Sequence, residues 1–230
     1  MGKASEGIFG PVSGKVGNLV WYTVKGETYV RTAPSKRRGR KTKKEKANTS
    51  GFAKVQAFMK PISMLLRDGF KDYGSKTGGY KAAVSYALLN AVEGTYPDQF
   101  VNPALVRISG GDLHMASSVQ AVLESDHSLR FTWSTEEGKN GSAYDQAFLL
   151  AYAPDENKMI RGNLVWQSTG AFRMTGEDSL QLAPDGEDQT YHVYLGFVSS
   201  DRTIQAHSVY LGPVLVKAKA KVERKKNANS

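Results

Sequence analysis

The chain has 230 residues, 40% hydrophobic and 23% charged, with a formal net charge of +9. That is enough apolar material to bury a core, which excludes a wholly disordered chain. No run approaches the roughly 18 apolar residues of a membrane-spanning helix, and MGKASEGIFGPVSGKVGN at the N-terminus has no apolar stretch of signal-peptide length. With no cysteine, disulfides, thiolate metal sites and cysteine nucleophiles are excluded together. These features fit a reducing compartment and lead us to expect a cytoplasmic protein or part of an assembled particle.

Residues 7–35 read as small β structure. Ile8-Phe9-Gly10-Pro11 and Ser13-Gly14-Lys15-Val16-Gly17 carry turn chemistry, because glycine reaches φ values that other residues resist. Residues 19–24 and 28–31 are rich in β-branched and aromatic side chains. With Lys25-Gly26-Glu27 between them they predict a hairpin, ended by Pro34. Residues 36–46, KRRGRKTKKEK, hold no apolar side chain. They are expected to stay out of any core and, left free, to be disordered.

A helix is predicted from about Asn48, with Phe52, Val55, Met59, Ile62 and Leu66 on one face. Pro61 should kink or split it, and Gly69 is a plausible stop. A second helix is predicted over residues 79–92, with Tyr80, Val84, Ala87, Leu88 and Ala91 on one face. From Asn102 onward the apolar period is two. Strands are predicted at 105–108, 119–123, 129–133, 147–151, 163–166, 179–182, 191–198 and 208–216, separated by turn residues such as those at 136–141. The fold class is therefore mainly β with a small α segment (α+β). An N-terminal hairpin, basic arm and two helices fill residues 1–100. An antiparallel immunoglobulin or fibronectin-like β-sandwich fills 101–216, and a basic tail 217–230.

Charge is unevenly spread. Residues 1–60 hold 14 Lys and Arg against 3 Asp and Glu, residues 101–216 hold 7 against 14, and residues 217–230 hold 6 against 1. An acidic body is flanked by two basic ends. Such ends suit a polyanion, or the acidic body of the next copy of the same protein.

Two resemblances are visible. Ser128-Leu129-Arg130-Phe131-Thr132-Trp133 is similar to the second strand of a fibronectin type III or immunoglobulin-like sandwich with its buried Trp. Leu182-x-Pro184 followed by Tyr191-x-Val193-x-Leu195 resembles the segment entering the sixth strand, although residues 185–190 make that loop longer than usual. The likeness implies a buried Trp133 and a Tyr191 whose hydroxyl bonds nearby backbone. Secondly, Gly7-Ile8-Phe9-Gly10-Pro11-Val12-Ser13-Gly14-Lys15-Val16-Gly17, Val24-Lys25-Gly26, Tyr29-Val30-Arg31-x-x-Pro34 and Ser208-Val209-Tyr210-Leu211-Gly212 resemble a group of uncharacterised bacterial proteins, a domain-of-unknown-function family. That family implies a Gly-rich hairpin, a helical segment and a terminal sandwich. It usually carries Asn-Pro-Arg-Thr after the hairpin, where this chain has the basic run.

Known chemistries fit poorly. Gly10-Pro11-Val12-Ser13-Gly14-Lys15 has three residues between its glycines where a phosphate loop needs four, and Val16 follows the Lys. His114, His127, His192 and His207 match no metal-ligand spacing, and His192 is expected to face outward between Tyr191 and Val193. The paired carboxylates Glu136-Glu137, Asp155-Glu156, Glu177-Asp178 and Glu187-Asp188 fall on separate predicted loops without a calcium-loop order. No catalytic residue, metal or cofactor is assigned.

The expected function is that of a non-enzymatic structural subunit that self-assembles into a filament, tube or particle. Its contacts to neighbours or enclosed nucleic acid would be Lys36, Arg37, Arg38, Arg40, Lys41, Lys43, Lys44, Lys46, Lys217, Lys219, Lys221, Arg224, Lys225 and Lys226. One alternative is a soluble protein holding DNA or RNA without sequence preference, with Trp21, Tyr22 and Tyr29 stacking on bases. A second is a carbohydrate-binding or enzymatic sandwich with a loop-built site.

Overall fold

A computed structural model describes residues 3–8 (backbone only), 12–24, 26–35, 39–71, 73, 78–124, 127–154, 163–183 and 187–217. Lys36, Arg37, Arg38, Lys219, Lys221, Arg224, Lys225 and Lys226 lie outside these residues. Two compact units emerge, residues 1–42 and 43–230.

The first unit is an antiparallel meander of β1 (Lys3–Ile8), β2 (Val12–Val16), β3 (Leu19–Val24) and β4 (Glu27–Thr32), in that order. The expected hairpin is β3 with β4, from Leu19 opposite Thr32 to Val24 opposite Glu27. Ser13 to Val16, expected as a turn, is instead strand. Val12, Gly14 and Val16 share one face; Val12 pairs with Ala4 of β1, and Gly14 and Val16 pair with Trp21 and Leu19 of β3. The turn is only Gly17-Asn18, with Gly17 at φ +59, the left-handed conformation that matches strand twist in a two-residue loop.

The second unit opens with α1 (Lys43–Met59), α2 (Ser63–Gly69) and α3 (Gly79–Asn90). Pro61 splits the first helical pattern as expected, because it cannot continue the hydrogen-bond ladder. Val55, Met59, Ile62 and Leu66 are buried. Phe52 is half exposed, with Phe58 and Leu65 buried in addition. Helix α2 does stop at Gly69, and the reason is packing. A β-carbon there would lie 2.1 Å from the Ile108 carbonyl oxygen, and the Gly69 carbonyl accepts the Gly110 N–H at 2.9 Å.

A short ladder of β5 (Val92–Glu93) and β6 (Phe100–Val101) and a 3-10 turn at Pro103–Leu105 lead to the sandwich. The strand predicted at 105–108 does not form. Val106 and Ile108 are buried, as their alternation requires, but the Ile108 N–H is taken by the Ser208 hydroxyl at 2.9 Å rather than by a neighbouring strand. The other seven predicted strands are present as β7 (Gln120–Leu123), β8 (Ser128–Thr132), β9 (Gln146–Ala153), β10 (Asn163–Gln167), β11 (Glu177–Gln181), β12 (Gln189–Val198) and β13 (Val209–Val216). They form a three-stranded sheet, β11-β8-β7, and a four-stranded sheet, β10-β9-β12-β13.

Alternation along β9 and β12 places Leu149, Tyr191, Val193, Leu195 and Phe197 between the sheets, with Leu129, Phe131 and Trp133 from the other side. The opposite face of the same two strands carries Phe148, Leu150, Tyr152, Tyr194 and Val198, and the helices cover it. Phe58 of α1 meets Tyr152 edge to face with ring centroids 5.2 Å apart. These strands are buried on both faces, so they read as nearly continuous apolar runs. The boundary expected at residue 100 is therefore displaced. Helices and sandwich share a core, and compactness divides the chain between Thr42 and Lys43. His192 is half-buried rather than solvated because the Tyr210 ring of β13 packs beside it, centroids 5.9 Å apart. Its Nδ1 lies 2.8 Å from the Tyr210 hydroxyl, and burial pushes its pKa below the usual value.

Candidate interaction surfaces

In the N-terminal sheet the register sorts side chains onto two faces. Among the described side chains, those of β2 to β4, one face carries Val12, Val16, Leu19, Trp21 and Val30 with threonines and no ionisable group. Val16, Leu19 and Val30 on it are 52%, 42% and 49% exposed. The other carries Lys15, Val20 and Arg31 in one row and the cross-strand pair Tyr22–Tyr29 in another, stacked with centroids 5.7 Å apart. Glu27 lies on this face and accepts the Tyr29 hydroxyl, a bond that raises the Tyr29 pKa. Neither face is buried.

The described part of the basic run divides in two. Arg40 and Lys41 are exposed ahead of the helix, whereas Lys43, Lys44 and Lys46 lie in the first turns of α1. The run is thus partly helical, because Lys and Glu are good helix formers and the apolar stripe farther on anchors the helix. Three ammonium groups at a helix N-terminus oppose its dipole, and Glu45 is the single acid in the first turn. Lys43, Lys44, Ala47, Thr95 and Tyr96 line an open cleft of about 600 Å³. Lys217, the described residue of the tail, is exposed beyond β13. Thus Lys43, Lys44 and Lys46 share one short helical segment, and Lys217 belongs to a different element.

At one end of the sandwich sits a buried polar knot that sequence reasoning missed. Arg173 is fully buried in the 3-10 turn Arg173–Thr175. Its Nε donates to Asp145 Oδ2 at 3.2 Å, Nη2 to the His114 carbonyl at 2.7 Å and Nη1 to the Glu136 carbonyl at 3.4 Å. The guanidinium lies 4.3 Å from the centre of the Phe197 ring. Asp145 Oδ2 also accepts the Ser142 N–H at 2.8 Å. One cation thereby ties together loops that are far apart in sequence. The only local signal was a lone Arg amid Ala171, Phe172 and Met174, and an Arg in that setting is usually a surface group.

Trp133 is buried as expected, and its Nε1 donates to the Arg173 carbonyl at 2.9 Å. Tyr191 is fully buried, with its hydroxyl donating to Gln189 Oε1 at 3.1 Å. Residues 184–186, part of the loop before it, lie outside the described residues. Among the described residues no three His, Asp or Glu groups converge on a possible metal site, and no helix is long and apolar enough to cross a membrane. Asp178 is structural: its Oδ2 accepts the Ala171 N–H at 2.7 Å. Glu177 pairs with exposed Arg130.

The model of a family of unknown function, DUF6266, matches residues 11–212. The chain belongs to that family. The match spans β2 to β4 of the N-terminal meander, the helices and nearly all of the sandwich. A search of curated proteins finds no match. Among solved structures the chain is similar to the fn3 domain of human contactin 1, with 15% identity over 55% of this chain and 92% of that one and a TM-score of 0.30. It is also similar to the FN1–FN3 domains of chicken contactin 1, with 12% identity over 48% and 33% and a TM-score of 0.29. What makes the body a fibronectin type III-like sandwich is its own strand order, three strands against four.

Proposed function

We propose that this chain is a non-enzymatic structural subunit that assembles with copies of itself, its basic N-terminal unit engaging the acidic sandwich of the next copy. The observation that carries this reading is the Val-Leu-Trp face of β2 to β4, whose described side chains carry no charge and of which Val16, Leu19 and Val30 are about half exposed. A two-faced sheet with so little burial gains its stability from whatever covers it. Residues 1–42 carry 9 Lys and Arg against 2 Asp and Glu, while residues 101–216 have twice as many acids as bases. Opposite signs on two parts of one chain favour head-to-tail contact, which propagates into a ring or filament.

The opposite face supports a second reading. Tyr22 stacked on Tyr29 beside Lys15 and Arg31 is the combination that holds single-stranded nucleic acid, bases on aromatics and phosphates on cations. Sedimentation and negative-stain electron microscopy of the full chain at low and high salt, with and without single-stranded DNA, separate the two. Self-assembly at low salt without DNA supports the structural subunit. Monomers that shift only when DNA is added support the second reading. Monomers under every condition exclude both.

A further inference from the structure

Three exposed apolar side chains stand together above the buried Arg173–Asp145 pair. Tyr144, Phe172 and Met174 are 58%, 40% and 52% exposed. The Tyr144 and Phe172 rings meet edge to face with centroids 6.0 Å apart, and the Met174 N–H donates to the Ala143 carbonyl at 3.1 Å. Their chain neighbours Asp145 and Arg173 point the other way and are sealed inside. Each patch residue is therefore held by a buried polar anchor next to it. Aromatic side chains and methionine on a prearranged support are what the centres of protein interfaces are made of, because little ordering entropy remains to be lost on binding.

We propose that this sandwich end receives the uncharged face of the N-terminal sheet from a second copy of the chain. The inference rests on the self-assembly reading and names its receiving surface. The edge of the patch is acidic. Glu136 and Glu137 are exposed on the loop whose carbonyl Arg173 holds, with Lys139 the single base there, while Glu177, after the turn that follows Met174, is already paired with Arg130. A unit with 9 Lys and Arg against 2 acids is drawn to that rim by its net charge, while Lys15 and Arg31, on its opposite face, stay clear of the apolar contact. The same rim repels phosphates. An edge-to-face ring pair also offers no parallel platform for sugar stacking. Because the two contacting surfaces differ, the contact is heterologous, and each joined pair keeps one surface of each kind free for the next copy.

Two full-length variants test this. Phe172→Ser with Met174→Ser damages the receiving patch, and Leu19→Glu with Val30→Glu damages the inserted face. Each alone should sediment as a monomer under conditions where the wild type assembles, with the dissociation constant raised about thirtyfold for a lost anchor. Mixed in equal amounts, the two should form a one-to-one heterodimer, since one intact surface of each kind remains. Circular dichroism and melting check that each is folded. Tyr144→Ser alone, at a more exposed site, replaces the patch pair if that pair misfolds. Wild-type assembly that persists in the folded patch variant overturns the proposal while leaving self-assembly standing. Two folded monomeric variants that do not complement each other also overturn it. A wild type that never assembles removes both the proposal and the reading beneath it.

Discussion

Arg173 and Asp145 form an ion pair whose side chains are 0% and 2% exposed, with Nε to Oδ2 at 3.2 Å. Taking two charges out of water costs several kcal/mol per ion, so the pair holds only while both charges and the surrounding carbonyl partners are present. Asp145→Asn keeps the shape and removes one charge. It should cost about 3–5 kcal/mol in urea unfolding. The double change Arg173→Met with Asp145→Leu should cost less than Asp145→Asn alone. A mild Asp145→Asn would mean that the carbonyls of His114 and Glu136 satisfy the guanidinium by themselves.

Trp133 joins the sandwich core to this knot through its indole N–H. Trp133→Phe keeps most of the apolar surface and removes one of two donors to the Arg173 carbonyl, which still accepts the Gly176 N–H at 3.2 Å, an expected loss of about 0.5–1.5 kcal/mol. Trp133→Ala adds a cavity and should cost ~3–5 kcal/mol. Equal melting temperatures for the Phe variant and wild type would show that the bond adds nothing net.

Removing the helices should expose the second face of β9 and β12. A fragment of residues 101–216 would present Phe148, Leu150, Tyr152, Tyr194 and Val198 to water. It should bind a hydrophobic dye and aggregate, whereas residues 43–217 should unfold in one cooperative transition. A well-behaved 101–216 fragment would show that the helical cover is dispensable.

Burial lowers the pKa of His192. It also lowers that of His207, where nearby Arg107 adds to the effect. Both groups bind protons more readily in the unfolded chain, whose value is near 6.5. Stability should therefore be fully present above about pH 6.5 and fall as the pH drops from there toward the lowered folded values. His192→Gln should flatten that slope in denaturation experiments at stepped pH, and imidazole titration by NMR should place His192 below the usual value. Asp201 acts in a separate window. Hydrogen bonds from the Ser199 hydroxyl and from Thr203 pull its pKa to about 2, so its contribution is lost only as the pH falls below about 4 toward that value.

Lys43 and Lys44 oppose the dipole of α1. Lys43→Glu with Lys44→Glu should raise stability by about 0.3–1 kcal/mol per site at low salt, and less at high salt. If the run contacts a polyanion or an acidic neighbour, the same change weakens that association in sedimentation. A gain in melting temperature without any loss of association would limit these two lysines to a solvated helix end.

Local pattern determined much of the fold. The β3–β4 hairpin, the split at Pro61, helix α3 and seven sandwich strands follow from side-chain period and from proline and glycine chemistry, which act between residues close in sequence. Burial of Trp133 was legible for the same reason. Tertiary structure decided the rest. Residues 105–108 alternate like a strand, yet the Leu105 and Val106 N–H groups turn back to Asn102 and Pro103 and the Ile108 N–H finds Ser208, a partner that local pattern cannot name. His192 looked outward because alternation assigns a face without saying what packs on it, and here Tyr210 of the neighbouring strand does. The Arg173 knot was invisible because its partners at 114, 136 and 145 meet only once the loops of the folded sandwich converge. Charge asymmetry could be read from the chain, but the uncharged face of the N-terminal sheet could not. It depends on strand register, which sets Leu19, Trp21 and Val30 on one side and Lys15, Tyr22, Tyr29 and Arg31 on the other.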